Sequence, residues 1–223
     1  TGIRITDVFD ADFAARIAEH CEHHVPYEYI FHIDGENKAA PAEQFRSLSR
    51  EHAQELNSKL VEAASQGIGF FYCGYMMDRA QRETDDDNVK SLHRVFEYLN
   101  SEEMLTFISS VTGRIDIMSA DGQFTRYQAG QYLTRHLDDI QAEQRRIAYV
   151  FSFCRDWHPD WGGLLQFYEQ DGTPRDAWLP GFNTLSLFDV RHHHSVTYVT
   201  PFAKRPRLSL TGWFRSMEGA FSG

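Results

Sequence analysis

The second half of this 223-residue sequence is divided into short apolar runs by closely spaced turn signals. The turn signals are Asp121-Gly122, Gly162-Gly163, Asp171-Gly172, Pro180-Gly181 and Pro201. The eight runs lie at 115–118, 123–127, 131–136, 147–154, 164–168, 184–189, 194–199 and 207–214. About eight strands within about a hundred residues are typical of a double-sheet jelly roll. We therefore expect residues 114–223 to form a jelly-roll core.

Residues 1–113 carry longer apolar patterns with helical spacing. The expected helices are one capped by Asp10, a long one from Pro41 to Gly67, one beginning at Asn88 and one from Ser101 to Gly113. Their apolar stripes need a surface to cover, so we expect them to buttress one sheet. His52 falls on the stripe of the long helix and is expected to be buried. The prediction is a single α+β domain over residues 1–223, a double-stranded β-helix (jelly roll) with N-terminal buttressing helices.

Three stretches of this first half do not fit helices. Residues 25–40 indicate either a strand pair or a loop over a site, and the aromatic-rich residues 69–77 indicate a strand. The acidic run at 83–87 is expected to be a solvated loop. It lacks the spaced Asp/Asn and Gly pattern of a calcium loop.

The composition restricts the partners of the chain. Its net charge is −10, which opposes binding to a phosphate backbone or an anionic membrane, so we expect no nucleic-acid and no membrane partner. Cys21, Cys73 and Cys154 are far apart and predict neither disulfides nor a structural zinc site, which favours a reducing, cytoplasmic location. We find no signal-peptide pattern and no apolar run near the roughly 18 residues of a membrane span. Since the sequence begins at Thr1 rather than Met, we expect that a few residues have been removed.

A His-x-Asp pair, His136 and Asp138, follows one of the predicted strands. Residues two apart on a strand point to the same side, so both side chains can bind one metal ion. A third ligand is available near the end of the chain, where His194 opens an alternating run and His192 shares its face if the strand begins early. Two imidazoles and one carboxylate suit Fe(II), although manganese or zinc could also occupy such a site.

Arg207, Ser209, Thr211 and Trp213 alternate with smaller or apolar residues along the last predicted strand. This places the four side chains on one face. A guanidinium that points into a barrel needs an anion, and its fork is shaped for a carboxylate. The sequence therefore predicts either a carboxylate ligand beside the metal or a salt bridge from Arg207 to an internal acid such as Asp189.

Five segments carry a family resemblance. They are Y-x-x-G-x-x-L-x-x-H-x-D at 127–138, W-x-P-x-W-G-G-x-L at 157–165, P-G-F-N-T-L at 180–185, H-S-V at 194–196 and R-L-S-L-T-G-W-F at 207–214. Together they resemble the prolyl 4-hydroxylase-like superfamily of Fe(II)- and 2-oxoglutarate-dependent dioxygenases. The branch that the chain is most similar to contains the ribosomal-protein prolyl hydroxylases and their bacterial relatives.

The resemblance implies a role for each site residue. His136, Asp138 and His194 match the iron ligands, Arg207 matches the residue that binds the distal carboxylate of 2-oxoglutarate, and Tyr127 and Ser209 are implied as further contacts of this cosubstrate. His194 is preferred over His192 because only His194 is followed by Ser-Val. Arg207 is preferred over its neighbours Lys204 and Arg205 by its Leu-Ser-Leu-Thr-Gly-Trp context. Ascorbate is a candidate reductant.

The implied activity is hydroxylation of an unactivated C–H bond with dioxygen, releasing succinate and CO2. A prolyl residue in a polypeptide is the first-choice substrate, and a free amino acid or another small molecule is the alternative. Two other classes stay open, a cupin-like module that binds a metal or ligand without turnover, and a zinc hydrolase. The Trp157 to Gly163 loop is assigned mainly to structure. Arg145 and Arg146 are expected to be exposed.

Overall fold

The computed structural model of the chain describes residues 2–77 and 86–216. Its α-helices within these ranges are α1 (Ala11–His23), α2 (Ala42–Arg46), α3 (Arg50–Ser65), α4 (Asp87–Leu99) and α5 (Glu102–Thr112). In the described ranges, none of the helices has the length and apolar character required to cross a membrane.

The strands of the described residues belong to one antiparallel sheet of thirteen strands. They are β1 (Ile3–Thr6), β2 (Glu28–Ile33), β3 (Glu36–Pro41), β4 (Phe70–Met76), β5 (Ser119–Ala120), β6 (Gln123–Tyr127), β7 (Tyr132–His136), β8 (Arg145–Phe153), β9 (Leu165–Tyr168), β10 (Pro174–Trp178), β11 (Phe182–Asp189), β12 (His194–Val196) and β13 (Arg207–Arg215).

The sheet curls into two facing halves. One half runs in the order β1-β11-β8-β13-β6, and the other runs in the order β7-β12-β9-β10. Both halves are antiparallel, and the curl of the sheet places inward-facing side chains of each half opposite those of the other. The predicted jelly roll is confirmed.

Strand β4 connects the two halves. Its residues from Cys73 to Met76 pair with β6, while Phe70 and Phe71 pair with β7. On its other side β4 pairs with β2, which forms a hairpin with β3. The region 25–40 is therefore a strand pair, and strands from the first half of the sequence belong to the same sheet as the later ones.

Helix α1 covers the larger half of the sheet. Its buried side chains Ala14, Ile17, Ala18 and Cys21 face the sheet, and the helix contacts β6, β8 and β13. The helix begins where predicted, because the Asp10 carboxylate accepts hydrogen bonds from two backbone N–H groups of the first turn. Helix α3 packs against β2 and β4. The expectation that the N-terminal helices buttress the sheet is confirmed.

The expected long helix from Pro41 to Gly67 is wrong in one respect, because it is two helices. The chain leaves the helical path after α2, and the Ser49 hydroxyl then accepts a hydrogen bond from the His52 N–H at the start of α3. Ser and Thr hydroxyls compete with the helical backbone and favour such caps. His52 is exposed rather than buried.

The predicted strands also differ from the structure in two places. The run at 115–118 forms no strand, and Ile115 is fully exposed, so pairing is limited to the two residues of β5. Strand β10 was not predicted because it is a sheet edge with exposed, charged residues and no apolar alternation. The acidic run at 83–87 lies largely outside the described residues, and its last two residues cap and begin α4.

Candidate active site

The paired strands β7 and β12 bring His136, Asp138 and His194 together. His136 is the last residue of β7 and lies directly opposite His194, the first residue of β12. Their ring centres are 4.2 Å apart. Asp138 follows two residues after His136, and one ligand atom from each of the three lies within 4.8 Å of the others. The structure therefore unites a pair that is local in sequence with a histidine 58 positions later.

Backbone carbonyls fix the tautomer of both imidazoles. Nδ1 of His136 lies 2.9 Å from the Thr134 carbonyl oxygen, and Nδ1 of His194 lies 2.9 Å from the His192 carbonyl oxygen. A carbonyl oxygen only accepts, so each Nδ1 carries the proton and each Nε2 faces the cluster with its lone pair. This is the arrangement typical of histidine metal ligands.

The choice between His192 and His194 follows from the same contacts. His192 lies in the turn before β12 and orients the ring of His194 through its backbone carbonyl. The imidazole that joins His136 and Asp138 belongs to His194.

Asp138 carries a buried negative charge, with 6% of the residue exposed. Burial alone would raise its pKa, but Nε2 of His136 at 3.5 Å and Nε2 of His194 at 3.3 Å outweigh burial and lower the pKa. Burial would also lower the pKa of His136, yet the Asp138 carboxylate prevails and raises it. The cluster therefore places an ionised carboxylate beside two imidazoles, and a metal ion would bind in competition with protonation of His136.

Arg207, the first residue of β13, is 2% exposed. Its Nε donates to the Gly163 carbonyl at 2.8 Å, and its Nη1 donates to the Ser209 hydroxyl at 2.9 Å. Its guanidinium carbon is 5.3 Å from the centre of the Tyr127 ring. Among the described residues no carboxylate forms an ion pair with this guanidinium. Asp189, the acid considered from the sequence, pairs with Arg191 at 2.8 Å and with Arg114 at 3.5 Å.

The competing cations near Arg207 lie at the surface. Lys204 is exposed, and Arg205 is 3.9 Å from the carboxylate of exposed Asp156. Arg207 is therefore the cation of this segment that is buried, as its sequence context predicts.

A cavity of about 430 Å³ contains the His136, Asp138 and His194 side chains together with Arg207 and Tyr127. Tyr127 stacks on Tyr72 with ring centres 5.2 Å apart, and its hydroxyl has no hydrogen-bond partner among the described residues. Burial, the largest influence, raises the pKa of Tyr127, so its hydroxyl stays protonated and can donate.

Comparison with known proteins decides what kind of site this is. Residues 122–215, which include every member of the cavity named so far except Tyr72, match the model of the 2OG-Fe(II) oxygenase superfamily. These residues form a 2OG-Fe(II) oxygenase domain.

Relatives and solved structures agree with this domain. The chain is 34% identical over 145 residues to prolyl 3,4-dihydroxylase OGFOD1 of Ostreococcus tauri, covering 59% of this chain and 27% of that protein. It is 31% identical over 143 residues to prolyl 3-hydroxylase OGFOD1 of Mus musculus, covering 60% and 26%. The match thus spans about a quarter of the length of these relatives. A prolyl-4-hydroxylase from Pseudomonas putida shares the fold, with a TM-score of 0.59 at 20% identity over 96% of this chain and 91% of that chain.

Within the oxygenase domain, Ser209 is fully buried and does not line the cavity. Its hydroxyl accepts from Arg207 and is 2.9 Å from the Thr125 hydroxyl. The sequence predicted Ser209 as a cosubstrate contact. The structure instead places it behind the guanidinium, where it orients Arg207.

The Trp157 to Gly163 loop also holds Arg207. Trp157 donates from its indole N–H to the Gly162 carbonyl at 2.9 Å, and the next carbonyl, that of Gly163, accepts from Arg207. Gly162 has φ +69° and ψ −145°, a region that only glycine adopts readily, and a Cβ there would collide with the Tyr198 carbonyl oxygen. The prediction that this loop is mainly structural is therefore supported, because the loop holds Arg207 in position within the site.

Three cavity residues of the oxygenase fold were missed by sequence reasoning. Tyr72 comes from β4 and stacks on Tyr127, while Gln123 opens β6 and hydrogen-bonds to Tyr72; burial raises the pKa of Tyr72 to about 12. Arg145 was expected to be exposed, but its side chain is 11% exposed and stacks on Trp213 at 3.4 Å from the ring centre. Arg146 is also partly buried.

Proposed function

We propose that this protein is an Fe(II)- and 2-oxoglutarate-dependent dioxygenase that hydroxylates a prolyl residue in a polypeptide. The observation that carries the proposal is the buried Arg207 guanidinium, which shares a cavity with the His136, Asp138 and His194 cluster. No carboxylate of residues 2–77 and 86–216 pairs with it. A metal-binding module that does not turn over has no need for such a cation. A dicarboxylate cosubstrate does need one, because its far carboxylate must be neutralised inside the protein.

The residues present fit a bound iron ion. Two Nε2 atoms with free lone pairs and one ionised carboxylate form a donor set of mixed hardness that suits Fe(II), and three protein ligands leave positions for other ligands. His136, Asp138 and His194 would hold the ion. When bound, iron and 2-oxoglutarate supply the oxidation of a substrate C–H bond by dioxygen, with release of succinate and CO2.

The residues also fit 2-oxoglutarate. Arg207 is held by Gly163 and Ser209, so its fork is oriented before a carboxylate arrives. The Tyr127 hydroxyl lies in the same cavity, has no hydrogen-bond partner in the described part of the chain, and can donate a second hydrogen bond. Preorganised donors of this kind cost little reorganisation when the anion binds.

Apolar side chains form a large part of the remaining wall of the cavity. They include Leu133, Ala148, Val150, Leu165, Phe188 and Val196. These walls exclude water from the reacting groups and strengthen the attraction between Arg207 and an anion. The protein would thus orient the substrate and keep the site dry, while the cofactors perform the oxidation.

The substrate class is inferred from the relatives. The two relatives described above are a prolyl 3,4-dihydroxylase and a prolyl 3-hydroxylase, and each matched region includes about three fifths of this chain. A prolyl residue in a polypeptide is therefore the first substrate to test. Ascorbate as a reductant and a cytoplasmic location stay predictions from the sequence.

An anaerobic titration tests the proposal. Addition of Fe(II) and then 2-oxoglutarate should produce a metal-to-ligand charge-transfer band, and admission of oxygen should then produce succinate. Folded protein that binds Fe(II) but gives neither band nor succinate would identify a binding module instead. Mass spectrometry of proline-containing peptides after turnover, searching for a gain of one oxygen atom, tests the substrate class separately.

We expect Ser209→Ala to weaken 2-oxoglutarate binding roughly tenfold. The change removes the acceptor that orients Nη1 of Arg207, and a hydrogen bond to a charged group contributes about 1.5–3 kcal/mol. The control is Ser152→Ala, because Ser152 lies opposite Ser209 on β8 and its hydroxyl contacts Cys154. Calorimetric titration of both metal-loaded variants with 2-oxoglutarate measures the difference, and equal affinities would show that Ser209 does not position Arg207.

A further inference from the structure

Two carboxylates compete for the guanidinium of Arg145. Oε2 of Glu143 lies 2.7 Å from Nη2, and Oδ1 of Asp138 lies 4.0 Å from Nη1. We propose that Glu143 is a positioning residue that holds Arg145 away from Asp138 and so keeps the Asp138 carboxylate available to the metal. The inference rests on the proposed function for the identity of the metal.

The Glu143 carboxylate accepts from two nitrogen atoms of the Arg145 guanidinium. Nε of Arg145 donates to Oε2 of Glu143 at 2.9 Å, and Nη2 lies 2.7 Å from the same oxygen. The guanidinium also stacks on Trp213, 3.4 Å from the ring centre. These contacts leave Nη1 directed toward Asp138 but about 1 Å beyond the usual length of a charge-assisted hydrogen bond, which is about 2.7–2.9 Å.

Glu143 is itself anchored from the far side. Nη2 of Arg215 donates to Oε2 of Glu143 at 2.9 Å and also donates to the Asp121 carboxylate. The Asp121 carboxylate in turn accepts a hydrogen bond from the backbone N–H of Trp213 at 2.7 Å, and the Asp121 backbone carbonyl accepts one from the Tyr149 hydroxyl at 2.7 Å. Negative and positive side chains therefore alternate in a network that contains, in order, Asp138, Arg145, Glu143, Arg215 and Asp121. Asp121, at the end of this network, is hydrogen-bonded to the backbone of β13.

Loss of the negative charge at Glu143 would change the partner of Arg145. Asp121, another carboxylate that the charge of Arg145 reaches, is already paired with Arg215. The cation would therefore turn to the Asp138 carboxylate, and a small side-chain movement would close the gap of 4.0 Å. A buried guanidinium paired with Asp138 would compete with a metal ion for the same oxygen. Glu143 thus acts on the metal site through Arg145, without touching the metal ligands.

Calorimetric titration of the metal-free protein with Fe(II) under anaerobic conditions tests this inference. We expect Glu143→Gln to weaken Fe(II) binding at least tenfold, within the roughly 10–100-fold range for loss of a partner beyond the ligands themselves. The matched control is Glu36→Gln, which removes the same charge from an exposed ion pair with Lys38. The double variant Glu143→Gln/Arg145→Gln lacks the competing cation and should return to within about threefold of the wild-type affinity.

Each outcome decides the proposal. Equal affinities of Glu143→Gln and Glu36→Gln would overturn it, as would a double variant that binds as weakly as Glu143→Gln. The single variant Arg145→Gln provides a check that does not need Glu143→Gln to fold, because it should bind Fe(II) at least as tightly as wild type, and weaker binding would overturn the inference. Wild-type protein that fails to bind Fe(II) would instead refute the proposed function itself. A crystal structure of metal-free Glu143→Gln should show Nη1 of Arg145 within hydrogen-bond distance of Asp138.

Discussion

Replacement of Arg207 by alanine is expected to weaken 2-oxoglutarate binding by about 100-fold or more and to leave Fe(II) affinity within about threefold of wild type. Loss of one partner of a buried, hydrogen-bonded charge pair costs about 2–5 kcal/mol, because the other charge stays buried without compensation. The iron ligands are unaffected, since Arg207 contacts Gly163, Ser209 and Tyr127 and none of the three ligands. Separate calorimetric titrations with Fe(II) and with 2-oxoglutarate measure the two affinities.

Arg207→Lys is the matched control. Lysine keeps the positive charge but lacks the planar fork and the two fixed contacts to Gly163 and Ser209, so an intermediate affinity is expected. If Arg207→Ala instead lowers Fe(II) and 2-oxoglutarate binding equally, Arg207 has a structural role and its assignment as the carboxylate anchor is wrong.

The variants His194→Ala and His192→Ala should differ greatly in their affinity for Fe(II). We expect His194→Ala to weaken Fe(II) binding more than about 100-fold and to abolish succinate formation, because loss of a ligand exceeds the roughly 10–100-fold effect of an outer partner. His192→Ala should keep wild-type Fe(II) affinity and succinate formation, because His192 contacts His194 through its backbone carbonyl.

Anaerobic Fe(II) titration and a succinate assay compare these two variants. Both substitutions remove one imidazole from the same short segment, so general effects on folding can be compared through their thermal unfolding midpoints. Similar Fe(II) affinities for the two variants would contradict the assignment of His194 as the third ligand.

The sequence was informative where the chemistry is local. His136 and Asp138 are two apart on a strand, and alternation predicts that they share a side, as the structure shows. The turn signals located most of the strands after residue 114, because Gly and Pro mark where pairing stops. Arg207 was identifiable because a cation on an inward-facing strand position needs an anion.

What the sequence did not show depends on long-range pairing. Tyr72 enters the cavity because β4 pairs with β6, about 50 residues later, and no local spacing reports this register. Arg145 was expected at the surface because Trp213, whose ring covers its guanidinium, is distant in sequence. Trp213 meets Arg145 only after β8 and β13 have paired. Strand β10 has mostly exposed, polar residues and no apolar alternation. It is recognisable as a strand only from its pairing with β9.

The position of β4 has a consequence for the smallest unit that can fold. The residues that match the oxygenase family begin at 122, whereas β4 ends at Met76, so a fragment cut to the family match would lack the strand that pairs with both β6 and β7. Two strand edges would then face solvent with unpaired N–H and C=O groups, and such edges promote aggregation. The same cut would remove β4 from its place beside the strand that carries Tyr127 and beside the start of β7. Strand β4 therefore helps to set the spacing between the proposed cosubstrate site and the metal ligands. The motifs of the candidate site all lie in the second half of the sequence, but a strand that helps to space them comes from the first half.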